Sequence, residues 1–169
     1  MTDHANTSRN TADPIRQCEP TRQNQPRAFE YETVVCFQET NVVGNVYFAE
    51  HIKWQGRCRE MFLHQYAADV LDALYGTLRL VTLRCNCEYF AELVAFDRVV
   101  VRMRLKRLVQ NRIALEFDYV RVTPQGEELV ARGEQEIASM VLENGQMAPT
   151  PIPESLRAAL IPFAAGGLS

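Results

Sequence analysis

An arginine stands in the middle of what reads as an apolar helical stripe. Stepped at about 100° per residue, Phe48, Ile52, Gly56, Leu63 and Tyr66 share one helix face, Phe62 flanks it, and Arg59 falls inside it. Arg57, two residues earlier, points well away. A guanidinium among apolar side chains is costly unless something pairs with it. Two readings stay open: a snorkelling or salt-bridged arginine, or a cation aimed into a pocket to bind or polarise an oxygen. Gly56 on the same face costs about 1 kcal/mol against alanine in a helix interior, which fits a helix with another backbone close against it.

The cysteines offer a second chemistry. There are five, Cys18, Cys36, Cys58, Cys85 and Cys87. The odd number, without an export signal, points to reduced thiols in a cytoplasm. Cys85 and Cys87 share a face of a strand, but with no CxxC pair and no histidine cluster they read as two core thiols, and no metal is expected. His64 reads as a surface residue near the helix end.

Size and charge narrow the classes. With 169 residues, 47% hydrophobic content and a net charge of −3, the chain suits one domain with a real core. No basic run suggests nucleic-acid binding. No apolar run is long enough to span a membrane, and the polar N-terminus has no secretory h-region.

These residues need elements to position them. Residues 1–27 are rich in Asn, Thr, Arg, Gln and Pro and read as a disordered leader, giving His4 and Cys18 no role. Residues 28–149 form the domain. A first strand over 29–37 leads through a loop (38–44) to a long helix. The helix is N-capped near Asn45 and runs to about Val70 or Leu74, with Gly76 at its end. Four strands follow, over 80–90, 97–108, 113–122 and 128–142, with apolar residues at every second position. Turns at Gln110-Asn111, Pro124-Gln125-Gly126 and Asn144-Gly145 make them antiparallel hairpins packed on one face. Residues 150–169 hold a short closing helix (154–160) and a tail. The fold class is α+β: a long central helix wrapped by a curved five-stranded antiparallel sheet. Gly133 permits a bend or a close backbone approach. Arg102, Arg104 and Lys106 line a basic strand face, either simply solvated or able to meet an acidic carrier domain or a phosphate.

The run Glu39-Thr40-Asn41-x-x-Gly44-Asn45-Val46-Tyr47, followed by Trp54-Gln55-Gly56-Arg57-Cys58-Arg59-Glu60, resembles hot-dog acyl thioesterases of the 4-hydroxybenzoyl-CoA type. It is most similar to those of enediyne polyketide pathways. Cys87-Glu88-Tyr89-Phe90-Ala91-Glu92-Leu93 and Phe96-Asp97-Arg98 support this, and the resemblance spans roughly residues 31–138. It implies a hot-dog homodimer, often paired into a tetramer, with each active site between two protomers. The implied substrate is a polyene β-keto acyl chain on the phosphopantetheine arm of an acyl carrier domain in an iterative polyketide synthase. Hydrolysis of that thioester needs no cofactor of the enzyme's own and releases a β-keto acid able to lose CO2.

The resemblance also implies site residues. Many relatives place a carboxylate at the Asn41 position as base or nucleophile, and an amide can be neither. Glu39 lies two residues off and reads as a solvated loop carboxylate. A thioester is already activated, so it chiefly needs a stabilised oxyanion and a positioned water. Amides at the helix start, around Gly44, Asn45, Val46 and Tyr47, are candidate donors, aided by the helix dipole. Asn41 would orient the water or hold the carbonyl. Arg59 would supply fixed positive charge, its pKa being too high for a base.

His51 stands where the enediyne relatives suggest a tyrosine. It either keeps a hydrogen bond, introduces a titrating group, or is a structural or interface histidine. Thr82 either helps position the thioester through its backbone or is an ordinary strand threonine. Trp54, opposite the apolar stripe, is expected to pack on a partner subunit or line an acyl tunnel. Two other readings are a non-catalytic acyl- or ligand-binding hot-dog module and a dehydratase or isomerase, the latter needing a histidine with a carboxylate at the pocket.

Overall fold

The structure is a computed structural model and describes residues 27–166. The expected leader, residues 1–27, lies outside the described residues except for Arg27. Strand β1 (Phe29–Val34) is followed by helices α1 (Phe48–Tyr66) and α2 (Ala68–Tyr75). Then come β2 (Leu78–Tyr89), β3 (Arg98–Val109), β4 (Arg112–Thr123), β5 (Gly126–Glu143), β6 (Gln146–Pro149) and α3 (Glu154–Leu160). All strand pairs are antiparallel, in the order β1-β3-β4-β5-β2, and β6 folds back on β5. The α+β roll is therefore as expected, with a sixth short strand added by the Asn144-Gly145 turn.

The first strand ends three residues early, because Phe37–Glu39 closes into a 3-10 turn. The helix is not capped by Asn45. Tyr47 occupies the cap, since the preceding residues are held in a hairpin. Nor is it continuous to Leu74: Ala67 turns to φ −148°, separating α1 from α2.

The helix is also rotated from the expected phase. Its buried residues are Glu50, His51, Trp54, Gln55, Cys58, Phe62 and Leu63, while Phe48 is 59% exposed. Counting only apolar types misplaced the face, because His51 and Gln55 are polar and yet point inward. Trp54 is therefore a core residue, fully buried, and does not project toward a partner. Among the described residues Gly56 meets no atom that would crowd a Cβ, so the close backbone expected there is not found among them.

Alternation holds in β3 and β4, where Val99, Val101, Met103, Leu105, Ile113, Leu115, Phe117 and Tyr119 are buried. It breaks where the ladder slips. In β2 the register shifts between Thr82 and Arg84, so Leu78 and Leu80 pack on the core while Leu83 and Cys85 are exposed. Cys85 is thus a surface thiol and Cys87 only half-buried, which corrects the reading of both as core thiols. A shift between Tyr119 and Val120 turns Leu129 out and Val130 in. The outer row of cations is already matched. Arg102 bonds Glu30 and Glu127, Arg104 bonds Asp118, and Lys106 bonds Glu134.

Gly133 marks a close approach: a Cβ there would lie 2.9 Å from the Asn86 carbonyl oxygen and would collide with the Gln55 amide. Gly133→Ala should cost about 1–3 kcal/mol by overpacking, read as a lowered midpoint in chemical denaturation.

Candidate active site

The segment before α1 folds into a tight hairpin. Thr40 bridges Val46, the Asn41 amide donates to the Asn45 carbonyl at 2.8 Å, and the Gly44 amide donates to the Asn41 carbonyl at 3.0 Å. Gly44 sits at φ 90°, a region glycine enters without steric cost. The Asn41 side chain is spoken for as well. Its Oδ1 accepts from the Val43 amide at 2.9 Å, and its Nδ2 donates to Asn45 Oδ1. Asn45 in turn donates to Glu92 Oε1 at 3.0 Å.

This hairpin changes which amides are free. Val46 N–H donates to the Leu93 carbonyl at 2.8 Å, Tyr47 N–H to the Glu39 carbonyl at 2.9 Å, and Gly44 N–H stays within the turn. Gly44, Val46 and Tyr47 are therefore not the open donors expected. The first turn of α1 begins at Phe48, so the donors left by helix geometry shift to Phe48 and Ala49.

Glu39 is likewise not a solvated carboxylate. It is 4% exposed. Its Oε1 accepts from Trp54 Nε1 at 3.0 Å and its Oε2 from the Cys36 amide at 2.8 Å, with Arg57 Nη1 at 3.6 Å from Oε1.

Arg59 lies where α1 crosses β2 and β5. Its Nη1 donates to Thr82 Oγ1 and to Gln135 Oε1, both at 3.1 Å. Its Nε is buried without a partner. Among the described residues it forms no salt bridge, so neither a snorkelling nor an ion-paired arginine describes it. Burial lowers its pKa, opposed by the field of Glu60. The aliphatic part of the Arg59 side chain borders a small apolar cavity of about 20 Å³ between α1, the sheet and α3, whose walls include Leu63, Leu80, Met103, Leu156 and Leu160. Thr82 faces Arg59 next to the β2 register shift, a local irregularity of the kind that re-aims side chains.

Gln135 escaped the sequence reading. The available signal was its place: it sits between Gly133 and Ile137 at an inward position of β5, a lone polar residue in an apolar row, and it is 5% exposed.

His51 packs among Tyr89, Trp54 and Tyr119, with ring centroids 5.0, 5.1 and 5.3 Å away. Its carbonyl accepts from the Tyr119 hydroxyl at 2.6 Å, but neither ring nitrogen has a partner. Burial pulls its pKa down to about 4, so the ring is neutral at pH 7. It makes no bond to Asn41.

Within one chain Asn41 and Arg59 share no partner. The eleven residue steps from Phe48 to Arg59 span about 16 Å of helix axis. Among the described residues no group of three His, Cys, Asp or Glu side chains is arranged to hold a metal ion. No helix there is long and apolar enough to cross a membrane.

A hairpin feeding the start of a long helix, which is wrapped by an antiparallel sheet with a partly buried cation at their junction, is the layout of a hot-dog thioester hydrolase. The chain belongs to the thioesterase-like superfamily, whose family model matches residues 35–160. It is similar to the dynemicin thioesterase, known from crystal structures describing induced-fit and allosteric effects upon polyene binding. The two are 46% identical, with 83% of this chain and 100% of that chain covered at a TM-score of 0.81. Two more distant likenesses show the fold alone. One is a 1,4-dihydroxy-2-naphthoyl-CoA thioesterase from Synechocystis, at 20% identity, 79% and 96% coverage and TM-score 0.70. The other is a 4-hydroxybenzoyl CoA thioesterase variant complexed with 4-hydroxybenzoyl CoA, at 13% identity, 79% and 99% coverage and TM-score 0.71. No curated protein matches the chain.

His51 yields a stability test. Its folded pKa of about 4 lies below the ordinary 6.5, so the unfolded chain takes up a proton in that range and the folded chain does not. Stability should be level above pH 6.5 and fall between about pH 6.5 and 4, by roughly 3 kcal/mol in all. Denaturation across that range should show a shallower slope for His51→Gln.

Proposed function

We propose that this thioester hydrolase releases a polyene β-keto acyl chain from the phosphopantetheine arm of an acyl carrier domain in an enediyne-type iterative polyketide synthase. The observation that carries the reading is the Arg59 guanidinium, held by the neutral Thr82 and Gln135, on a side chain whose aliphatic part lines an apolar cavity. Among the described residues no carboxylate is paired with it, so its field remains available to an oxygen brought from outside. An un-neutralised cation in a low-dielectric setting stabilises a developing oxyanion strongly. The 46% identity with the dynemicin thioesterase, whose structures concern polyene binding, supports the acyl class.

In this reading the site is completed by a second copy. Strand β2 pairs with β5 on one side only, and its exposed Leu83 and Tyr89 leave a long edge of the sort natural proteins cover. A homodimer joined there, and a tetramer of such dimers, would bring the Asn41 hairpin of one protomer toward the Arg59 region of the other. The separation of the two residues within one chain is what such a composite site requires.

The chemistry is hydrolysis without a carboxylate base. Arg59 and the Phe48 and Ala49 amides stabilise the oxyanion, and Asn41, fixed by Asn45, orients the attacking water. The water oxygen bonds to the acyl carbon, the C–S bond breaks, and the displaced proton ends on the pantetheine thiol. Loss of CO2 from the released β-keto acid follows on or off the protein. Thr82 holds Arg59 in place, Gly44 and Asn45 shape the hairpin, and His51 fills the start of α1 as a neutral ring. The enzyme needs no cofactor of its own and works in the cytoplasm.

Arg59→Ala and Asn41→Ala should each lower turnover by about 10²–10³, as loss of one oxyanion-hole donor does, measured by free-thiol release with mass spectrometry of the acid released from a loaded carrier domain. Unchanged turnover in both variants would reject the site. Stoichiometric acyl-thioester binding without thiol release would favour a non-catalytic acyl-binding module. Since the chemistry uses no carboxylate base and burial keeps the His51 ring neutral, turnover should vary little between mildly acidic and neutral pH; a carboxylate-like pKa surviving in His51→Gln would contradict it.

A further inference from the structure

The buried carboxylate of Glu39 has no part in the chemistry above, yet it is the best-satisfied charged group near the site. Its oxygens take the Trp54 indole N–H at 3.0 Å and the Cys36 amide at 2.8 Å, and Arg57 lies 3.6 Å away. Its own carbonyl takes the Tyr47 amide at 2.9 Å. Burying a carboxylate is costly without such partners. The partners come from separate pieces of the chain: Cys36 just past β1, Tyr47 at the cap of α1, and Trp54 and Arg57 in the second and third turns of α1. Between Glu39 and Tyr47 lies the hairpin that carries Asn41, closed at its base by the Thr40–Val46 bridge. Glu39 is too enclosed, and its oxygens too fully engaged, to take a proton from a water molecule on the substrate.

We propose that Glu39 is a positioning residue that locks both ends of the Asn41 hairpin to α1 through Trp54, and so sets where Asn41 stands in the reaction. This rests on the reading of Asn41 as the residue that orients water. Displacing such a group by about 1 Å can cost 10²-fold in rate. The carboxylate does what a close-fitting apolar side chain would not: it gives the hairpin one orientation relative to the helix through directional bonds.

The test uses the full-length protein and Glu39→Gln, which keeps the shape but, with one oxygen and an NH2 group, cannot accept both bonds. Glu39→Leu removes both. Trp54 is the chain's one tryptophan, so its emission reports directly on the bond to Glu39. Glu39→Leu should shift that emission and lower kcat by about 10- to 100-fold while KM changes much less, with Glu39→Gln between it and wild type. Placed in an Asn41→Ala background, Glu39→Gln should add little further loss, because coupled residues are non-additive. Should Glu39→Leu fail to fold, Glu39→Gln carries the same comparison. Equal loss of kcat from Glu39→Gln with and without Asn41→Ala would reduce Glu39 to general stability and overturn the proposal. Wild-type kcat in Glu39→Gln beside a crippled Asn41→Ala would overturn it while leaving the assignment of Asn41 intact. Wild-type kcat in Asn41→Ala alone would overturn that assignment and this role with it.

Discussion

A guanidinium held by neutral oxygens is the constraint around which the rest of this structure makes sense. Arg59 is drawn in between the helix and two strands and is met by a hydroxyl and a carboxamide, both at 3.1 Å, with no counter-ion among the described residues. Such a group is expensive to bury. Its surroundings lower the cost by degrees: two acceptors, the nearby field of Glu60, and a position next to the edge strand instead of deep in the core. A carboxylate in place of Gln135 would settle the charge more fully, and would also cancel its field.

The same economy of charge appears elsewhere with the opposite outcome. On the outer face of the sheet, Arg102, Arg104 and Lys106 each meet a carboxylate from another strand, and the row offers little net field. Glu39 is buried with an indole, an amide and a guanidinium around it. Among these groups Arg59 is the one whose partners leave its charge standing. His51, about two turns earlier on α1, contributes none, since burial keeps its ring neutral.

Much of the fold was readable because its signals are local. The alternation of Val99, Val101, Met103 and Leu105 is the period of a half-buried strand, and the turn residues between the strands leave only hairpins as connections. The Glu39–Tyr47 run was enough to point to the family. The readings that failed share one cause: each assumed that a residue's type reveals its burial. His51 and Gln55 face inward although polar, Phe48 faces outward although apolar, and Glu39 is sealed although charged. Asn45 has the right side chain for a helix cap but is held by Asn41 and Glu92.

The amino-acid sequence by itself determined the α+β class, the number and order of the long strands, the hairpin connections and the presence of a cation amid apolar residues. Periodicity and turn chemistry act over a few neighbouring positions, and so are written in the chain. Only the tertiary structure decided the rotation of α1, the bulge that turns Thr82 toward Arg59, the pairing of Arg59 with Gln135 and the burial of Glu39 beneath Trp54. These depend on contacts between segments 15 to 76 residues apart. Local pattern carries no information about which polar group will meet which.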